Sequence, residues 1–217
     1  MPAAQPFPEP DKVERADSRR KRLRLIAAAR TAIAEDGLDV PSADIAARAE
    51  VGVGTLYRRF GTKEALIEAV LLDVMIMSVD AADEALAGSD PETNLENFMT
   101  ALVEGWVANR GLSEFIATRS AYRSDALNGH SVALRDAMAK LTRRAQRAGV
   151  LRRDVTWRDL LAFVQAASSQ VDALGIVGND QQWRRTLGVL LDGLRSTAPR
   201  RLPGKPPADG PNAPIHD

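Results

Sequence analysis

The sequence contains no cysteine. That removes a disulfide framework and every thiolate metal site, and it is compatible with the cytoplasmic location we expect. Histidine is almost as scarce: only His130, beside an expected loop, and His216, in a proline-rich end, are present. A histidine-based metal site or a Ser-His-Asp triad therefore has little to be built from, and we expect no catalytic residues, no metal and no cofactor. No apolar run approaches the roughly 18 residues that a membrane span requires. The first residues, MPAAQPFPEPDKVE, lack the apolar core of a secretory signal. Strand-like alternation is also missing.

What is present fits an ordinary globular class. The chain has 217 residues, 45% hydrophobic and 27% charged, enough for one large domain or a small domain joined to a medium one. The net charge of zero conceals a segregation. Residues 15–63 carry 11 Lys/Arg against 6 Asp/Glu, residues 64–127 carry 3 against 12, and residues 128–217 carry 14 against 8. A basic head is thus joined to an acidic middle. Local charge decides attraction to phosphates, because screening limits distant charges to a reach of about 10 Å at 0.1 M salt.

Residues 1–17, with four prolines, read as a disordered tail. A helix then starts from an Asp17 or Ser18 cap, with Leu23, Ile26, Ala27, Arg30, Ile33 and Ala34 as its inner stripe, and ends at Gly37. A short helix from Ser42 to Ala49 follows Pro41, which suits a first helical turn. After Glu50-Val51-Gly52, a second short helix covers Val53 to Phe60. Thr62 caps a further helix from Lys63 towards Val79. Periodic helical segments are expected over 92–109, 112–121, Ser131–Ala148, Thr156–Leu174 and Asp180–Ser196, with a loop at Ser124–Gly129. The proline-rich residues 198–217 read as a second disordered tail.

The stretch PSADIAARAEVGVGTLYRRF, residues 41–60, thus forms a helix-turn-helix, and its second helix is short enough to lie in a DNA major groove about 12 Å wide. Thr55 and Tyr57 offer hydroxyls to phosphate oxygens, Val53 can meet thymine methyls, and Gly54 allows close backbone approach. Arg58 and Arg59 add positive charge, Lys63 opens a helix whose N-terminal dipole favours an anion, and Arg19 and Arg20 belong to a basic run that can follow the backbone or enter a minor groove. Ile45, Leu56 and Phe60 are expected to hold the two helices at their angle.

Asp44-Ile45-Ala46-Ala47-Arg48-Ala49, Val51, Gly54-Thr55-Leu56-Tyr57-Arg58-Arg59-Phe60 and Thr62-Lys63-Glu64-Ala65-Leu66 together resemble the tetracycline-repressor (TetR) family over residues 19–72. Glu50 departs from the glycine usual there, and Gly52 and Val53 stand where polar or basic residues are frequent. The resemblance implies an all-α protein that is not an enzyme. Its N-terminal three-helix DNA-binding domain would span residues 18–63. A C-terminal helical domain for ligand sensing and dimerisation would span 64–197. It also implies that Tyr57 and Lys63 meet phosphates. The implied partners are a palindromic double-stranded operator, a second copy of the chain and a small hydrophobic effector, with no membrane.

Met75, Phe98, Trp106, Phe115, Tyr122 and Phe163 are available to line an effector cavity, although the same spacing also serves a plain core. In the last two helices, Leu160, Val164, Ala167 and Val171, then Trp183, Leu187, Leu190 and Leu194, form apolar stripes. They can complete one core; the resemblance implies that they form a four-helix dimer interface. An enzyme would need a charged or metal-binding constellation in its core, and no motif for one is visible. A helical scaffold for protein partners is the remaining alternative.

Overall fold

The computed structural model describes residues 10–109, 124–169, 172–195 and 200–208. Among them lie eight α-helices and one short hairpin: α1 Pro10–Asp36, α2 Ser42–Arg48, α3 Val53–Phe60, α4 Lys63–Ala87, α5 Pro91–Ala108, α6 Asp125–Arg147, α7 Trp157–Ser168, β1 Asp172–Ala173, β2 Ile176–Val177 and α8 Gln182–Leu194. The chain divides into two compact units, Met1–Val70 and Leu71–Asp217, and the division falls within α4.

In the first unit, α1 begins at Pro10 rather than at Asp17 or Ser18. Its buried face is Leu25, Ile26, Ala29, Ala32 and Ile33, whereas Leu23, Ala27 and Ala34 are exposed. The expected stripe holds at Ile26 and Ile33 and fails at Leu23, Ala27 and Ala34. Ala27, Ala28 and Ala29 give no phase, and the correct one runs from Leu25 through Ala29 to Ile33. Gly37, at φ +79°, ends the helix as expected.

The turn between α2 and α3 is a Schellman motif. Val51 N–H donates to Ala46 O and Glu50 N–H to Ala47 O, each at 3.0 Å. Glu50 occupies the left-handed position, at φ +53°. Ile45, Ala46, Ala49 and Leu56 are buried at the junction of the helices. Thr62 Oγ1 accepts from Ala65 N–H at 3.0 Å, capping α4.

In the second unit, α5 starts from Asp90, whose carboxylate accepts from Glu92 N–H at 3.0 Å and from the Thr93 hydroxyl at 2.6 Å. These bonds hold the Asp90 carboxyl below its ordinary value, the Thr93 hydroxyl contributing most. Helix α6 absorbs most of the expected Ser124–Gly129 loop, because Ser124 accepts from Leu127 N–H and caps it. Arg144 on α6 closes the end of α4: it donates to Leu86 O at 2.6 Å, to Ala85 O at 3.4 Å and to Gly88 O.

A Thr156–Asp159 capping box opens α7. That helix stops at Ser168, six residues short of Leu174, where the chain turns into an antiparallel hairpin pairing Asp172 with Val177 and Ala173 with Ile176. The core is built from α5 against α6, α7 and α8, around Phe98, Met99, Leu102, Val103, Met138, Leu141, Leu160, Val164, Trp183 and Leu187.

The expected C-terminal tail is partly tied down. Arg152 is buried and donates to both oxygens of Asp154 at 2.7 and 2.9 Å, to Gly193 O at 3.2 Å and to Arg200 O at 2.5 Å. Asp154 in turn accepts from Leu202 N–H at 3.0 Å. Its carboxyl is held far below the ordinary carboxylate range, first by the Arg152 guanidinium and then by the Leu202 amide. Among the described residues, no helix is long and apolar enough to cross a membrane.

Candidate nucleic-acid interface

Helix α3 separates its two sides cleanly. Leu56 is fully buried, while Val53 is 44% and Tyr57 46% exposed. Gly54 and Arg58 share the outer side, and Thr55 is half-buried. Beyond its chain neighbours and the local helix backbone, a Cβ at Gly52 or Gly54 would meet no atom of the described residues within 4 Å, so a ligand's backbone can come close to both. Arg58 and Arg59 lie in the last turn, where the helix dipole favours cations. The Tyr57 hydroxyl donates to Ser42 Oγ at 3.2 Å, which ties α3 to the start of α2. Ser42 was not among the residues singled out from sequence. Only its place in the first turn of α2 pointed to such a role.

The basic residues have unequal freedom. Arg58, Arg19 and Arg20 are exposed. Asp17 binds Lys21 at 2.6 Å and lies 3.9 Å from Arg20. The Lys21 bond is the main reason the Asp17 carboxyl sits below its usual value. Arg22 stacks over the Phe60 ring at 5.3 Å. Arg24 pairs with Glu50, and Arg48 with Glu35 and Asp36. Arg59 is half-buried, donates to Ser18 Oγ at 2.8 Å and keeps its Nε buried, so part of its guanidinium is held against α1. Lys63 is half-buried and donates to Leu38 O at 2.6 Å, which fixes its ammonium beside the loop before α2.

In the second unit, a cavity of about 320 Å³ lies between α4 and α5, lined by Ala81, Glu84, Ala85, Asn94, Asn97, Phe98 and Ala101. Asn94 Nδ2 is buried there with no hydrogen-bond partner among the described residues. Of the side chains singled out for an effector, Phe98 lines this cavity. Met75 is half-buried on α4, and Trp106 and Phe163 pack against the core. Phe115 and Tyr122 lie outside the described residues. Sequence reasoning missed Glu84, Asn94 and Asn97, since isolated polar residues on amphipathic helices carry no such signal.

The assignment of apolar stripes to a partner also needs correction. Leu160, Val164, Ala167, Trp183, Leu187 and Leu194 are buried in the chain's own core, Leu190 is half-buried against it, and Val171 lies outside the described residues. The faces left over are narrower. They are Ala162, Gln165, Ala166 and Ser169 at the end of α7, and Arg185, Gly188, Val189 and Asp192 on α8, all exposed. Both sets repeat at helical spacing.

Comparison with known proteins matches residues 25–70 to the model for bacterial regulatory proteins of the tetR family. Residues 90–196 match the model for the C-terminal domain of SbtR-like transcriptional regulators. Among solved structures, a TetR transcription regulatory protein from Mycobacterium vanbaalenii is 34% identical, covers 84% of this chain and 99% of its own, and superposes with a TM-score of 0.61. The TetR regulator SCO0520 from Streptomyces coelicolor is 30% identical over 82% of this chain and 99% of its own, with a TM-score of 0.60. The ketosteroid regulator KstR2 of Mycobacterium tuberculosis shares the fold at 20% identity, over 81% of this chain and 95% of its own, with a TM-score of 0.60. No curated protein matches the sequence.

Proposed function

The chain belongs to the TetR family of bacterial transcriptional regulators, with its helix-turn-helix and all-α fold, and from that premise we propose that it is a repressor released from a palindromic operator by a small molecule. The observation that carries this reading is the two-sidedness of α3: Leu56 is anchored below while Val53, Gly54, Tyr57 and Arg58 stand outside. A helix of this length and about 10–12 Å in diameter suits the major groove. Val53 and the Tyr57 ring meet base edges and sugars; Thr55, Arg58, Lys63, Arg19 and Arg20 meet phosphates. Arg59 acts from behind, through Ser18.

The repressor works as a homodimer in the cytoplasm and has no catalytic role. A two-fold axis sets two α3 helices against half-sites one DNA turn, about 34–36 Å, or a multiple of it apart, so the operator is palindromic. The leftover faces of α7 and α8 form the contact. The effector enters the α4–α5 cavity. Its volume falls at the lower end of the roughly 300–1,000 Å³ usual for ligand pockets. Asn94 and Asn97 favour a ligand that carries a hydrogen-bonding group beside its apolar part. Helix α4 carries both Lys63 and the cavity residues Ala81, Glu84 and Ala85. A ligand that prefers one position of α4 weakens DNA binding by its differential affinity, typically about 1–3 kcal/mol.

Fluorescence anisotropy on the DNA flanking the protein's own gene tests this. Salt-sensitive binding is expected. Tyr57→Ala should weaken it about tenfold or more without changing the dimer, and Lys63→Ala should lower the salt slope by about one per head. Circular dichroism of Lys63→Ala controls for its lost bond to Leu38. Unchanged affinity in both variants would refute the contact assignment; no DNA binding by the native chain would refute the reading itself.

A further inference from the structure

The cavity between α4 and α5 joins an apolar lining to two polar groups that lack partners. Small side chains make room for it: Ala81 and Ala85, one turn apart on α4, and Ala101 on α5, with the buried Phe98 beside them. Asn94 Nδ2 is shut off from water with no acceptor among the described residues, although buried amide donors are nearly always paired. The Glu84 carboxylate makes no ion pair or hydrogen bond among the described residues. The surroundings have one sign. From Leu71 on, α4 and α5 carry seven Asp/Glu and no Lys/Arg. Glu92 and Glu96 are answered by Arg195, and Glu104 by Arg184. Asp80 and Asp83 share the Glu84 side of α4 and are exposed. The Arg144 guanidinium is committed to the carbonyls of Ala85, Leu86 and Gly88. A Cβ at Gly88 would collide with the Asn94 carboxamide, so glycine there leaves the amide the place it occupies.

We propose that this cavity takes a small amphiphilic amine: its apolar body lies on Phe98 and the alanines, its ammonium meets Glu84, and an oxygen on it accepts from Asn94. The proposal rests on the reading that the effector enters here, and it names that effector's chemical class. An unpaired buried donor is unfavourable until an acceptor reaches it, and a ligand oxygen is such an acceptor. Glu84 decides the sign of the ligand's charge. A carboxylate would face it with no neutralising cation in the lining, and like charges a few Å apart repel. An ammonium would instead form a charge-assisted hydrogen bond. Because Glu84 is exposed, solvent screening keeps that preference moderate. The volume of about 320 Å³ equals that of roughly ten waters at about 30 Å³ each, enough for one ring with a short polar arm.

Isothermal titration calorimetry on the full chain at neutral pH and low salt tests this with four matched probes. Phenylalaninol carries an amine and a hydroxyl, phenethylamine only the amine, hydrocinnamyl alcohol only the hydroxyl, and hydrocinnamate a carboxylate. Phenylalaninol should bind about three- to fivefold tighter than hydrocinnamyl alcohol, with hydrocinnamate weakest. Glu84→Gln should erase the advantage of the amine and leave hydrocinnamyl alcohol unchanged. Asn94→Leu should erase the difference between phenylalaninol and phenethylamine. Its urea midpoint should equal or exceed the native one, because the substitution removes an unsatisfied donor. Gly88→Ala, which displaces the Asn94 amide without removing it, should narrow the same difference. Hydrocinnamate binding as tightly as phenylalaninol, or an amine preference that survives Glu84→Gln, would overturn the proposal. So would the absence of binding by all four probes, which would leave water as the acceptor for Asn94. Anisotropy on the DNA flanking the gene separates this from the effector reading. Probes that bind in the expected order without loosening DNA uphold the ligand class and refute the effector role; DNA release by a molecule indifferent to Glu84 and Asn94 does the reverse.

Discussion

Glu50 offers a test of the helix-turn-helix in which the sign matters more than the size. The residue sits at φ +53° in the turn after α2. A left-handed conformation costs a residue with a Cβ about 1–2 kcal/mol, whereas glycine escapes that cost but loses roughly 0.5–1 kcal/mol more conformational freedom on folding. Replacing Glu50 by glycine should therefore leave the head about 0.5–1 kcal/mol more stable than replacing it by alanine. In a helix interior the order is the reverse. The Arg24–Glu50 pair is exposed and worth about 0.2–1 kcal/mol. Glu50→Gly should thus stay close to the native protein, and Glu50→Ala should fall below it. The three tryptophans, Trp106, Trp157 and Trp183, all lie in the second unit, so their fluorescence is blind to the head. Native-state hydrogen exchange at the Ala46–Leu56 amides is the appropriate assay. Opening constants should be about two- to fivefold larger in Glu50→Ala than in Glu50→Gly. Equal exchange, or better protection in the alanine variant, would refute the strain argument.

Leu56→Ala removes the fully buried anchor of α3 and should cost about 2–5 kcal/mol, seen as faster exchange throughout the head; exchange within error of the native protein would contradict the two-sided reading. Arg144→Met withdraws the donor to Ala85, Leu86 and Gly88 carbonyls and should lower stability by about 1–3 kcal/mol, read as a lower urea midpoint by tryptophan fluorescence; an unshifted midpoint would show that water replaces the guanidinium at no cost. Asp90 and Asp154 have depressed folded-state pKa values. Their contribution is therefore complete above the unfolded carboxyl value of about 3.9 and is lost as pH falls through that value towards their lower folded ones. Asp154→Asn should flatten the decline of the urea midpoint between neutral and acid pH, and an identical decline would argue against the linkage.

The sequence revealed most where one residue type can do one job. Gly37 and Thr62 mark helix ends because left-handed backbone and an N-terminal acceptor are specific demands. The helix-turn-helix was legible for the same reason, down to the buried Ile45 and Leu56. Alanine-rich stretches were poorly legible. In α1 the run Ala27-Ala28-Ala29 fits any rotation, so Leu23 was assigned inwards and is exposed. The hairpin was hidden because Leu174-Gly175 lacks the Asn or Asp of a common type I′ turn, and Leu174 read as the last apolar residue of a helix. The buried residues of α7 and α8 were visible as apolar stripes, but periodicity cannot distinguish a chain's own core from a partner's. The bond of Arg59 to Ser18 was equally invisible, since a guanidinium in the last turn of α3 looks the same in the sequence whether it is free or held against α1.

The arginine at position 152 bears on how the protein can be trimmed for crystallisation. Its guanidinium joins Asp154, the end of α8 and the backbone at Arg200, and Asp154 reaches on to Leu202. The proline-rich composition after residue 198 invites removal at that point. Cutting there would deprive the guanidinium and its carboxylate of two main-chain partners and loosen the junction beneath α8. A boundary after Ala208 keeps every one of these bonds, and an affinity tag is better appended beyond it than spliced in before it.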